Sequence, residues 1–177
     1  VEVLYDDNGA VRGIATGDMG IARDGSHKDS YTRGMELLGK YTLFAEGARG
    51  SLSKQLIAKF SLDAKSEPPK FGIGLKEVWE IDPAKHQKGL IQHSFGWPLN
   101  NSTGGGSFLY HYDDDKVAGG FVVHLNYDDP YLSPFEEFQR FKTHPAIRDV
   151  FAGGKRVAYG SRAITEGGWQ SIPKLVF

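Results

Sequence analysis

Three consecutive glycines, Gly104-Gly105-Gly106, stand between an aromatic–proline turn, Gly96-Trp97-Pro98, and an apolar aromatic run, Ser107–Tyr112. Glycine has no Cβ, so this backbone can take angles closed to other residues and let a flat molecule approach its N–H and C=O groups. The chemistry such a segment supports is holding rather than bond-breaking. A hydrophobic, planar, carbonyl-bearing ligand fits the glycine run with Trp97, Phe108 and Tyr110 close by in sequence. The same glycines also suit a hairpin loop that needs them only for its turn.

Other reactive groups form no comparable pattern. The six histidines, His27, His86, His93, His111, His124 and His144, include no pair at the i, i+3 or i, i+4 spacing that puts two metal ligands on one helix face. His111 and His124 fall on adjacent predicted strands, where they could face each other, but no third ligand accompanies them. Asp113-Asp114-Asp115 lacks the ligand spacing of a calcium loop and reads as a solvated turn. There is no G-x-S-x-G elbow and no phosphate-binding glycine–lysine motif. The chain has no cysteine, which excludes disulfides, thiolate metal sites and a cysteine nucleophile within it. A net charge of −1 with unclustered basic residues gives no footprint for nucleic acid.

The elements that must position the glycine run follow from periodicity. Val1–Asp6 and Val11–Asp18 read as strands about an Asp7-Asn8-Gly9 turn, and Gly20–Arg23 with Asp24-Gly25 repeats the pattern before a polar loop, Ser26–Ser30. Tyr41–Ala45 suits a buried strand. Ser51 reads as the N-cap of an amphipathic helix, Leu52–Phe60. From Phe71 to Ile81 apolar and small or polar residues alternate, the clearest strand in the chain. Leu90–Trp97, Gly105–Tyr112, Lys116–Tyr127 and Lys155–Ile164 complete the strands. Ser133-Pro134 opens a helix whose Phe135, Phe138 and Phe141 make a narrow aromatic stripe. Ala146–Phe151 reads as one more turn, and Trp169–Phe177 reads as extended. The fold class is α+β: a mainly antiparallel twisted sheet of about five strands with helices on one side, plus an amino-terminal strand–helix unit. No apolar run reaches the roughly 18–20 residues of a spanning helix. The opening on Val1 inside a strand and the apolar close at Ile172–Phe177 read as an excerpt of a longer protein.

Taken together, Tyr41–Gly50 (YTLFAEGARG), Phe71–Trp79 (FGIGLKEVW), Gly96–Leu99 with Gly105–His111, Asn126–Phe141 (NYDDPYLSPFEEFQRF), Gly153–Arg162 (GGKRVAYGSR) and Glu166–Leu175 (EGGWQSIPKL) resemble the electron transfer flavoprotein–ubiquinone oxidoreductases. The resemblance implies a membrane-associated enzyme of a bacterial or mitochondrial inner membrane. Such an enzyme passes electrons from reduced electron transfer flavoprotein, through FAD and a 4Fe-4S cluster, to ubiquinone. It implies that residues 1–60 are the edge of the FAD-binding domain and residues 61–177 the ubiquinone-binding domain. The quinone head group would then be held by the main chain of Gly105 and Gly106, and Glu46 and Gly47 would lie near FAD. The position before the pair is commonly tyrosine in the family and is Gly104 here, so a ring beside the quinone is expected to be missing. Flavin and cluster would be bound mostly outside this chain, which alone would be inactive. Two alternatives remain open at this stage: the substrate domain of a hydroxylase- or lipid-reductase-like flavoprotein, and a scaffold whose glycine loop only turns.

Overall fold

Asp7-Asn8-Gly9 reverses the chain between β1 (Glu2–Tyr5) and β2 (Val11–Ala15), and the Asp6 carboxylate accepts the N–H groups of Asn8 and Ala10 to fix that turn. The computed structural model describes residues 1–177 in two compact units: Val1–Ser66 with Pro173–Phe177, and Glu67–Ile172.

In the first unit, β3 (Met19–Ile21) pairs with β4 (His27–Thr32), and β5 (Glu36–Leu38) joins β2 to give the order β1-β2-β5. The segment expected as a polar loop, Ser26–Ser30, is therefore mostly strand. A two-stranded hairpin exposed on both faces needs no apolar alternation, which is why its composition misleads. Helix α1 (Ser51–Phe60) buries Leu52 and Leu56 against Val3, with Phe44 packed beside them. Its N-cap is Gly50, not Ser51. The run Tyr41–Ala45 forms no ladder; Tyr41 and Leu43 point to solvent, and no strand lies alongside to pair with them.

The second unit holds the sheet that carries the glycine run. Strand β6 (Phe71–Glu80) follows the predicted alternation. After a 3₁₀ turn at Pro83–Lys85, β7 (Ile91–Ser94) is shorter than expected and solvent-exposed throughout. β8 (Gly105–Tyr112) and β9 (Lys116–His124) form a hairpin about the acidic turn. Helix α2 (Pro134–Lys142) starts at Ser133, whose hydroxyl accepts the Glu136 N–H, and the short α3 (Arg148–Phe151) follows. β10 (Lys155–Thr165) closes the antiparallel order β10-β6-β9-β8-β7. Trp169–Ser171 is a 3₁₀ turn rather than extended chain.

Register puts Ile73, Leu75, Phe121, Val123 and Leu109 on the face that meets the helices. Of the aromatic stripe, Phe138 and Phe141 bury there beside Phe121, with ring centroids 6.0 and 5.8 Å away, while Phe135 is half exposed. Glu77 is buried on this same face. Its oxygens accept Lys142 Nζ at 2.6 Å, Trp79 Nε1 at 2.8 Å and Arg156 Nη1 at 3.0 Å, tying β6 to α2 and β10.

His111 is a second buried titratable group of this face. Its Nδ1 accepts the Gln87 N–H at 3.1 Å, and its Nε2 is buried with no partner. Burial lowers its affinity for a proton and the neighbouring His86 lowers it further. The unfolded chain, with an ordinary histidine near 6.5, therefore takes up the proton first as pH falls. Stability contributed by neutral His111 is full above about pH 6.5 and declines below it. Urea unfolding at pH 7.5 and 5.5 should show this decline, and His111→Leu should flatten it.

Candidate functional site

The hydrogen-bond phase of β8 decides what the glycine pair offers. The His124 N–H donates to the Gly104 carbonyl at 2.9 Å, and the His111 N–H donates to the Leu90 carbonyl at 2.9 Å. Residues of an antiparallel strand alternate in the neighbour they bond. Gly104 and Gly106 thus turn their backbone groups to β9. Gly105 turns its N–H and C=O to the other side, where β7 has ended, since pairing with β7 stops at Ser94–Ser107.

Both glycines are also needed sterically. A Cβ on Gly105 would overlap the Val122 carbonyl and come within 2.6 Å of Leu99 Cδ1. A Cβ on Gly106 would stand 2.7 Å from the Ser94 carbonyl oxygen. The turn preceding them contains a cis peptide bond between Trp97 and Pro98.

Beside this edge lies a pocket of about 280 Å³ on the helical side of the sheet. Trp97, Phe141, Ile147 and Leu109 give it apolar walls, and the hydrogen-bonded hydroxyls of Ser94 and Ser107 give it a polar floor. Trp97 packs near His144, ring centroids 5.1 Å apart. Phe108 and Tyr110 do not join Trp97. They stack on each other at 4.6 Å, their side chains alternating with the buried Ser107, Leu109 and His111 and so lying on the opposite face. Tyr110 there meets His93 edge-on.

His111 and His124 do not meet either. His111 pairs across from Val117, at one end of the β8–β9 ladder, and His124 lies beside Gly104 at the other. The space at Gly104 is filled: a Cβ there would overlap His124 Nδ1 and lie 3.0 Å from Cε1 and Cγ. The volume a side chain at position 104 would need is taken by the His124 ring from β9. Sequence reasoning did not find this contact because nothing in the spacing of residues 104 and 124 marks them as neighbours.

Glu46 and Gly47 sit in the first unit. The Glu46 carboxylate accepts the N–H of Leu52 at 3.3 Å, the N–H of Ser53 at 2.6 Å and the Ser53 hydroxyl at 2.8 Å, so it caps the amino terminus of α1. Burial alone would raise its pKa; these hydrogen bonds outweigh that and hold it below the usual carboxylate value. Gly47 has φ +76° and open space around its missing side chain.

The same arrangement of sheet and helices occurs in the flavin-dependent brominase Bmp2. The TM-score is 0.52 at 11% identity, over 93% of this chain and 37% of that one, a likeness of fold alone. Sequence comparison carries further. The family model described as "ETF-QO, ubiquinone-binding" matches residues 71–164, which span β6 through most of β10. The chain belongs to the electron transfer flavoprotein–ubiquinone oxidoreductase family. It is 56% identical to the oxidoreductase of Pseudomonas aeruginosa over 177 residues, 99% of this chain and 32% of that protein. It is 58% identical to the mitochondrial enzyme of Dictyostelium discoideum and 57% identical to that of Homo sapiens, covering 29% of each. The chain thus spans about a third of the length of these relatives. No helix is long and apolar enough to cross a membrane.

Proposed function

We propose that this chain builds the quinone-holding part of an electron transfer flavoprotein–ubiquinone oxidoreductase, with the ubiquinone ring set against Gly105 and Gly106, Gly105 offering its main-chain groups and Gly106 the bare surface beside them. The observation that carries the reading is the backbone of Gly105, turned to the side where β7 has ended, two residues before Ser107 at the floor of the pocket. A quinone carbonyl is a hydrogen-bond acceptor without charge, so a backbone N–H suits it and a cationic side chain is not needed. Apolar walls suit the rest of the ring and exclude water from it.

In the complete enzyme, bound FAD and a 4Fe-4S cluster supply electrons taken from reduced electron transfer flavoprotein. This chain has no cysteine to ligate the cluster. The oxygens of Glu46 are engaged by α1, so flavin contact along this segment falls to the Gly47 backbone and its neighbours. The residues of this chain bind the ring, orient it and keep it dry. Peripheral contact with the bacterial or mitochondrial inner membrane, where the lipid-soluble quinone resides, belongs to the same reading.

The test is reduction of ubiquinone-1 by the complete enzyme with reduced electron transfer flavoprotein as donor. Saturable reduction is expected. Ala146→Trp, which adds a large ring to the lining of the pocket, should raise the quinone KM about tenfold, a change worth ~1.4 kcal/mol, and leave flavin reduction by the donor unchanged. A quinone KM indifferent to that plug would count against the site.

A further inference from the structure

The pocket lies between the sheet and the segment that follows α2, and each side brings its own polar groups. Register places the side chains of Gln92, Ser94 and Ser107 on the pocket face of the sheet, while His93 turns to the other face beside Phe108 and Tyr110. The Ser94 and Ser107 hydroxyls bond each other, and Gln92 stands on an exposed edge strand. From the facing side comes His144.

His144 is held at every point but one. Its N–H donates to the Phe141 carbonyl at 3.1 Å, and its carbonyl accepts the N–H groups of Ile147 and Arg148 at 2.9 Å. Its Nδ1 accepts the Ala146 N–H at 3.2 Å, and its ring packs against Trp97. A ring nitrogen that accepts a hydrogen bond carries no proton, so the neutral imidazole keeps its proton on Nε2. That N–H makes no hydrogen bond within the chain. The pocket wall therefore carries a donor whose tautomer and ring plane are both set in advance, which suits an uncharged acceptor among apolar walls.

We infer that His144 binds the second carbonyl of the quinone through Nε2–H, while the first carbonyl lies at the Gly105 backbone. The inference rests on the quinone reading of that backbone. A para-quinone carries its two carbonyl oxygens at opposite ends of the ring, so one donor alone leaves the other oxygen desolvated and unpaired. Gly105 belongs to the sheet and His144 to the segment facing it, so the two donors come from opposite layers of the fold. The ring is thereby oriented as well as enclosed, and a molecule with only one carbonyl is held at one end only.

The experiment compares His144→Phe and His144→Asn in the complete enzyme, with ubiquinone-1 as acceptor. Each keeps one structural role of the histidine and neither keeps the donor. Phenylalanine retains a ring against Trp97; asparagine retains an acceptor for the Ala146 N–H, as in an Asx turn, but is too short to carry an N–H where Nε2 stands. Both should raise the quinone KM about tenfold. A wild-type KM in His144→Phe would mean that the ring only packs, and one in His144→Asn that it only closes the turn; either result overturns the inference. Infrared difference spectra with ubiquinone-1 labelled with carbon-13 at each carbonyl in turn supply a readout that packing alone does not move. In the wild-type enzyme both carbonyl stretches should lie below those of the free quinone, and in His144→Phe one of the two should return to the free value. A wild-type spectrum with a single lowered stretch overturns the inference even if a variant fails to fold. If wild type shows no saturable quinone reduction and neither stretch is lowered, the quinone reading itself has failed and the inference falls with it.

Discussion

Glu77→Ala is expected to destabilise the protein by about 3–5 kcal/mol, the scale seen when one member of a buried ion pair is removed. Glu77 is 3% exposed and satisfies Lys142, Arg156 and the Trp79 indole together. Without it the Lys142 ammonium, whose side chain is itself 12% exposed, faces only the rings of Trp79 and Phe138 about 5 Å away. Most of the expected loss is that stranded cation, not the net worth of the pair. The double replacement Glu77→Leu with Lys142→Met should therefore recover much of the stability lost in Glu77→Ala. Chemical denaturation of the three proteins at pH 7 checks this. A Glu77→Ala loss under about 1 kcal/mol would show that water reaches the cluster, as it does for exposed pairs.

Acid should act on the same group. Burial alone would raise the pKa of Glu77, but the hydrogen bonds from Lys142, Trp79 and Arg156 outweigh it and hold the carboxyl below its ordinary value. Its contribution is then present above the unfolded glutamate pKa of about 4.3 and is lost as pH falls through the lower folded value. This window lies below the one expected for His111, so wild-type stability should fall in two stages, near neutrality and again below pH 4 or so. Each stage has its own variant, His111→Leu for the first and Glu77→Gln for the second.

The strands β6 and β8 were legible because alternation is a local property, and their bounds differ little from the periodicity. The helix at Ser133-Pro134 was legible for the same reason, its start being written in two residues. What could not be read depends on pairing at a distance. Lys142 and Arg156 reach Glu77 from 65 and 79 residues away, and in a chain with 22 acidic residues nothing in the spacing selects that one. Tyr41–Ala45 has the composition of a buried strand, but a strand exists only where a neighbour bonds it, and none does so here. The glycine run was found from composition, whereas its meaning needed the ladder phase. Only that phase separates Gly105, turned to the side where β7 stops, from Gly104 and Gly106, turned to β9.

That distinction gives Gly105→Ala and Gly106→Ala opposite signatures. At Gly105 the new methyl would overlap the Val122 carbonyl of central strand β9 and press on Leu99, a core side chain 7% exposed. Its φ of +158° also disfavours an L side chain. Neither neighbour can yield, so about 1–3 kcal/mol of overpacking and a comparable backbone strain fall on the fold. Gly105→Ala should lower the melting temperature clearly and lose quinone reduction with it, which makes it a poor reporter of the site. At Gly106 the methyl meets only the Ser94 carbonyl at 2.7 Å. Ser94 ends β7, a four-residue edge strand with every residue exposed, so the backbone shift the methyl forces falls on an edge and not on the core. Gly106→Ala should keep flavin content and a melting temperature within a few degrees of wild type. Its KM for ubiquinone-1 should rise about tenfold or more, because the displaced edge is the one bordering the glycine pair. Steady-state kinetics with ubiquinone-1 and with a water-soluble acceptor separate the two variants. A Gly106→Ala enzyme with unchanged quinone KM would leave these glycines as strand residues alone, required by packing and by nothing bound to them.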